Sequence, residues 1–227
     1  MKSHLKRLVT PKSWTLLKKE EKFVVRPRPG AHPAKLSMPI SLLLKTLGHA
    51  STTKEAKKIL NTREVLVNGK RVKEHKFPVG FMDVITIKDT KDMLRIILDK
   101  KGRLKIIPTD EEESKLKLCR IKNKTVLKKG KIQLNLSDNR NILVEKDTFK
   151  AGDGVLITIP FQEIKKHFKL EKGAAVYLIG GKHSGMKGVI ENIEGTKMIF
   201  TSARSKYESL KKYAFVIGKE KESIKLG

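Results

Sequence analysis

The sequence predicts an α+β chain that is mostly β, preceded by a basic arm. Three observations lead there. Helical periodicity is confined to residues 40–60 and to a short acidic segment near residue 110. Elsewhere, short runs of Val, Ile and Leu are bounded by glycine or Asn-Gly turns, the mark of strands. The charge is lopsided, with 51 Lys+Arg against 24 Asp+Glu, a net +27 over 227 residues.

Residues 1–36 form the arm. It holds ten Lys/Arg against Glu20 and Glu21, a net +8. The stretch "RPRPGAHP" favours an extended path, since proline fixes φ and lacks an N–H. So polar a segment cannot bury enough apolar surface to fold alone, and it is expected to be disordered when free and to order on contact with its partner.

Residues 37–90 read as a compact α+β unit. "PISLLLKTLG" puts Ile40, Leu43, Leu44 and Leu47 on one helical stripe, with Pro39 near its start and Gly48 after its end. "STTKEAKKIL" opens a second helix, where Thr52 and Glu55 have capping-box spacing. At about 100° per residue, Ala56, Ile59 and Leu60 face one side and Lys54, Lys57 and Lys58 the other. "VLVNGKRVKE" then carries Asn68-Gly69 between apolar runs, a strong hairpin signal. "FPVGFMDVITI" supplies a further strand.

Residues 91–170 read as a central β-rich domain. "LRIILDKKGRLKIIP" is a hairpin turning at Lys101-Gly102, and "RIKNKTVL", "KIQLNL" and "NILV" are strands. Between them, Thr109 and Glu112 repeat the capping-box spacing. Residues 171–227 read as strands and glycine turns of a small barrel. A weak echo links "FKAGDGVLITI" to "LEKGAAVYLIG" at a spacing of 21 residues, with Phe77, Gly80 and Val84 as a looser third copy. It reads as a repeated way of entering a strand through a glycine turn.

A charge of +27 costs self-repulsion that a polyanionic partner offsets. No apolar run approaches the roughly 18 residues that cross a bilayer. Residues 1–14 lack the apolar stretch of a secretory signal, and no basic amphipathic helix with a large apolar face stands out. Nucleic acid is therefore the expected partner. Cys119 is the only cysteine, which rules out an internal disulfide and a Cys-based zinc cluster, and it reads as a small buried hydrophobe. A reducing, intracellular compartment fits. The six histidines show no ligand spacing, so no metal or cofactor is expected.

Seven cations on two adjoining elements, Lys54, Lys57, Lys58, Arg63, Lys70, Arg71 and Lys73, can share one concave surface. Spaced cations on rigid elements are what phosphate recognition needs. In the arm, Lys2, His4, Lys6, Arg7, Lys12, Arg26 and Arg28 are further candidates. Trp14 either stacks on a base or anchors the arm, with anchoring favoured. Asn68 and Gly69 are turn residues. In "VYLIGGKHSGMKGVI", Gly181, Gly185 and Gly188 punctuate a strand-loop-strand unit, and Lys182, His183 and Lys187 are candidate RNA contacts.

The stretch from "TTKEAKKIL" through "VLVNGKRVKE" to "GFMDVITI" resembles the S4-type RNA-binding domain. "VYLIGGKHSGMKGVI" resembles a KOW motif, an element of small SH3-like barrels. With "HLKRLVTPKSW" ahead of both, the chain is similar over essentially its full length to the S4e family of small-subunit ribosomal proteins. The end of the sequence soon after "YAFVIGK" favours the archaeal type. The resemblance implies a structural, non-catalytic protein of the cytoplasmic small ribosomal subunit. It implies small-subunit rRNA and neighbouring ribosomal proteins as partners, a monomer within the ribosome, no membrane and no small-molecule substrate. Two other readings compete: an RNA-modifying enzyme, or a free RNA-binding factor in elongation or ribosome rescue. No "GRLD"-like loop, phosphate-binding glycine loop or HExxH supports an enzyme. "Gly152-Asp153-Gly154" reads as a turn before a strand.

Overall fold

The computed structural model describes residues 4–16, 21–145, 147–203, 205–219 and 222–226. Lys2 lies outside them. The chain divides into two compact units, Met1–Ile97 with Arg103–Lys115, and Leu98–Gly102 with Leu116–Gly227.

In the first unit the arm is folded onto the rest. Strand β1 (His4–Lys6) pairs antiparallel with β2 (Phe23–Val25). Trp14 is only 4% exposed, and its indole N–H donates to the Ser37 carbonyl at 2.7 Å. Leu104 N–H donates to the Ser13 carbonyl at 2.8 Å. The arm expected to order on contact with RNA is here ordered against the protein itself, and Trp14 takes the anchoring role that the sequence favoured. The arm lacks a core, but Trp14 and Val24 are buried by borrowing that of the unit.

Strand β3 (Ser37–Pro39) leads into α1 (Ile40–Thr46), whose Ile40, Leu43 and Leu44 are fully buried. Gly48 follows at φ 78°. Helix α2 (Thr53–Thr62) has both halves of its capping box. Thr52 Oγ1 accepts from Glu55 N at 3.2 Å, while Glu55 Oε2 accepts from Ser51 N at 2.8 Å and Thr52 N at 3.4 Å. Those donors, Ser51 first, hold the Glu55 carboxyl below its usual range.

Strands β4 (Val65–Val67) and β5 (Lys70–Arg71) form the hairpin, and β6 (Pro78–Gly80) pairs with β3. β7 (Val84–Ile87), β8 (Asp92–Leu98) and β9 (Leu104–Pro108) complete a five-stranded sheet in the order β5-β4-β7-β8-β9. The expected break at residue 90 thus falls inside one sheet, because β8 pairs with β7 across it.

Helix α3 (Glu111–Ser114) starts one residue later than the sequence suggested, with Asp110 at its N-cap and no side-chain cap bond. The expected Thr109–Glu112 box does not form. Thr109 is held in the extended path after β9 by its N–H, which donates to the Met93 carbonyl at 2.8 Å.

In the second unit, β10 (Leu116–Val126), β11 (Ile132–Leu136), β12 (Asn141–Val144), β13 (Gly154–Thr158) and β14 (Ile164–Phe168) form an antiparallel sheet in the order β12-β11-β10-β13-β14. Cys119, Ile121, Leu134, Leu136, Val155 and Ile157 build its core. A second five-stranded sheet takes β15 (Ala175–Leu178), β16 (Lys187–Glu194), β17 (Lys197–Ser202), β18 (Ser205–Leu210) and β19 (Ala214–Gly218) in the order β18-β17-β16-β15-β19.

Inside the first of these sheets lies a buried charge cluster. Lys117 Nζ is 2.8 Å from Asp138 Oδ2, and Arg140 Nε is 3.2 Å from the same oxygen. Cys119 Sγ is 3.6 Å away from it. Burial first, then the Asp138 charge, pushes the Cys119 thiol far above its usual range.

Two copies of the sequence echo share a physical device. Before β7, Asp83 N–H donates to the Gly80 carbonyl at 3.0 Å, and Asp83 Oδ2 accepts from Gly80 N at 2.8 Å. Before β13, Asp153 N–H donates to the Lys150 carbonyl at 3.2 Å, and Asp153 Oδ2 accepts from Lys150 N at 3.0 Å. A histidine Nε2 stands against each carboxylate, His32 at 3.0 Å and His167 at 2.7 Å. A buried aspartate closes each turn and aims the strand that follows.

Candidate nucleic-acid interface

Helix α2 exposes one cationic face because the other is committed to the core. Ala56 and Leu60 are fully buried, while Lys54, Lys57 and Lys58 are exposed. The hairpin continues this surface, with Lys70, Arg71 and Lys73 exposed and Val65, Val67 and Val72 buried. Asn68 and Gly69 turn at φ 50° and 75°, the double positive φ that a two-residue hairpin turn requires. Arg71 Nη2 donates to the Asn61 carbonyl at 3.3 Å, tying the hairpin to the end of α2.

Asn68 does more than turn the chain. Its Nδ2 donates to Asp83 Oδ1 at 2.8 Å, and its Oδ1 accepts from Val84 N at 3.1 Å. Asp83 is 2% exposed, so a buried carboxylate fixes the tip that carries Lys70 and Arg71. Asp83 is the positioning residue that sequence reasoning passed over, although it stands in "GFMDVI". A lone aspartate before a strand reads as ordinary turn chemistry; only its partners show the role.

The loop after the hairpin brings the arm to the same place. Arg28 Nη1 lies 3.1 Å from Glu74 Oε2, and Arg28 N donates to the Lys76 carbonyl at 3.0 Å. The His75 imidazole is held below its usual pKa, first by burial and then by Lys57, against an opposing pull from Glu74. Lys57 of α2, Lys76 and Arg28 of the arm therefore act on one point of the surface.

The remaining candidates divide. His4, Lys6, Lys12 and Arg26 are exposed, with the His4 ring edge-on to Phe23 at 4.7 Å. Arg7 is half-buried and structural in its contacts, donating to Thr10 Oγ1 at 2.7 Å and to the Leu16 carbonyl. Trp14 presents no face for a base. Arg63 Nε lies 3.4 Å from Asp89 Oδ2.

In the second unit Lys182 is exposed, whereas the His183 ring packs 4.9 Å from Tyr207 and 6.1 Å from Phe200. Lys187 belongs to β16, not to the loop, and pairs with Glu222 at 2.8 Å. Gly181 and Gly185 both turn at φ 80°, and a Cβ on Gly185 would overlap the Asp99 carbonyl and lie 2.8 Å from Lys100 N. Gly188 lies on β16, where a Cβ would meet Phe200 at 2.7 Å.

Comparison with known proteins decides the family. Residues 1–35 match the RS4NT domain, 38–85 the S4 domain and 90–164 the ribosomal family S4e. The small ribosomal subunit protein eS4 of Methanocaldococcus jannaschii is 45% identical over 240 residues, covering 99% of this chain and 98% of that one. The chain belongs to the ribosomal S4e family. An S4e relative in Methanothermobacter thermautotrophicus, of the same name, is 43% identical over 99% of this chain and 96% of its own. The crystal structure of the 30S ribosomal protein S4e from Thermoplasma acidophilum has a TM-score of 0.70 and 28% identity, covering 81% of this chain and 95% of that one.

Proposed function

We propose that the protein is a structural constituent of the small ribosomal subunit that binds and stabilises small-subunit rRNA, and is not an enzyme. The observation that carries this reading is the joined cationic surface of α2 and the hairpin. Lys54, Lys57, Lys58, Lys70 and Arg71 are exposed on elements whose opposite faces are locked in the core, with the hairpin tied to α2 through Arg71. Rigid backing matters because a fixed array of cations loses little entropy when it meets the phosphate backbone. The arm adds Arg28 beside the same surface, with Arg26 exposed two residues before it. The sheet of β15 to β19, whose β15–β16 connection carries Gly181 and Gly185 and whose β16 carries Gly188, acts as a KOW-type small barrel and offers Lys182 to RNA. Neighbouring ribosomal proteins complete the partners.

The test replaces Lys54, Lys57, Lys58, Lys70 and Arg71 together by Gln in the full chain. These are surface changes, each worth no more than about 0.5 kcal/mol in stability. Affinity for small-subunit rRNA is expected to fall, and the log–log salt slope to become shallower by about one unit per phosphate that is no longer neutralised. Preserved folding with wild-type affinity and slope would show that the surface is merely solvated.

A further inference from the structure

The second unit contains a cationic cleft distinct from the surface of α2 and its hairpin. It has a volume of about 440 Å³ and is lined by Arg120 and Lys122 of β10, Lys211 and Lys212 after β18, and the turns at Gly152 and Gly195. Among the described residues, no carboxylate lines it.

Each cation reaches the cleft for a structural reason. Cys119 and Ile121 point into the core, so alternation along β10 sends Arg120 and Lys122 to the other face. The β10–β11 register then shifts between Ile121 and Asn123, leaving Lys122 as the bulged residue. Bulges re-aim a side chain out of the regular pleat. On the far side, Lys211 N–H donates to the Thr196 carbonyl at 2.9 Å, fixing the Lys211–Tyr213 turn against the Gly195-Thr196 hairpin.

Arg120 also carries unused capacity. Its guanidinium donates to the Lys212 carbonyl, yet its buried Nε–H has no hydrogen-bond partner among the described residues. Burial lowers its pKa, so the charge is poorly solvated. Lys122, Lys211 and Lys212 have no ion pair among the described residues. Four cations around one concavity without a counter-charge repel one another unless an anion enters.

We propose that this cleft is a phosphate-binding site for rRNA, seating backbone phosphates between β10 and the Lys211–Tyr213 turn. The Gly195 turn leaves room: a Cβ there would meet nothing within 4 Å, so a sugar-phosphate backbone can approach the main chain. The lining offers cations and main chain and, among the described residues, no amide or carboxylate side chain, so the proposed recognition is of phosphate charge and shape rather than of sequence. The inference rests on the rRNA binding proposed above.

The experiment uses the full chain and an in vitro transcript of small-subunit rRNA. In one variant Lys122→Gln, Lys211→Gln and Lys212→Gln are combined, with Arg120 kept because it holds the turn. The salt slope is expected to become shallower by about 0.9 for each duplex phosphate that the variant no longer neutralises, and affinity to fall by about tenfold or more. A second variant, Thr196→Cys, places a thiol on the rim. Cys119 is buried and unreactive, so a maleimide reads the rim alone. Saturating rRNA is expected to slow labelling at least about tenfold. If wild type binds rRNA while the triple variant keeps its slope and affinity and labelling is not slowed, the cleft proposal fails and the hairpin reading stands. If wild type does not bind rRNA, both fail.

Discussion

Replacing Asp83 with alanine should unseat the RNA-facing hairpin from the inside. The Asp83 carboxylate is 2% exposed and accepts from Gly80 N and from Asn68 Nδ2, each at 2.8 Å. Alanine leaves both donors buried with this acceptor gone. An orphaned buried donor costs about 1–3 kcal/mol, so the loss should be about 2–6 kcal/mol in the N-terminal unit. Trp14 is the only tryptophan and lies buried in that unit, so its fluorescence during denaturant unfolding reports the right transition. The amide of Val84, which donates to Asn68 Oδ1, should lose hydrogen-exchange protection together with the hairpin. Asp83→Asn keeps one acceptor oxygen and should cost less. A shift below about 1 kcal/mol for the alanine variant, with unchanged exchange at Val84, would refute the argument that Asp83 fixes the hairpin tip.

Other outcomes follow from single sites. Gly185→Val should lower the melting temperature of the second unit well before any RNA effect, since φ is 80° and the Cβ overlaps the Asp99 carbonyl; unchanged melting with lost RNA binding would assign the glycine to the RNA instead. His75 has a lowered folded pKa, so the unfolded chain binds more protons and stability is lost as pH falls through the unfolded value near 6.5. A His75→Gln variant should show a flatter stability profile between about pH 7 and 5; an unchanged profile would reject that source. Lys117→Met takes one cation from the buried Asp138 while Arg140, 3.2 Å from the same oxygen, stays, and should destabilise by about 3–5 kcal/mol in chemical denaturation. A cost of less than about 1 kcal/mol would mean that Arg140 suffices. Native Cys119 should resist iodoacetamide until the sheet opens, because burial holds it as the thiol; rapid labelling of the folded chain would contradict this.

The sequence by itself determined the local elements and the kind of partner. Alternation, helical stripes and turn residues are short-range physics, so α1, the capped α2, the Asn68-Gly69 hairpin and the strands of β10 to β12 were legible from the chain. The +27 charge pointed to a polyanion for the same reason, since net charge needs no structure. The α2 and hairpin cations were visible because they alternate with apolar residues that must turn inward.

Tertiary structure decided what depends on partners distant in sequence. The docking of the arm turned on Trp14 meeting Ser37, 23 positions away, which composition cannot show. The boundary at residue 90 vanished because strand pairing, not local polarity, joins β7 to β8. Asp83, Asp138 and Asp153 look like turn residues in one dimension. Each is distinguished by donors or cations brought to it by folding, and a buried carboxylate is stable only with such partners. The cleft around Arg120 was equally hidden: its cations lie up to 92 positions apart, and only the packing of two sheets sets them around one space.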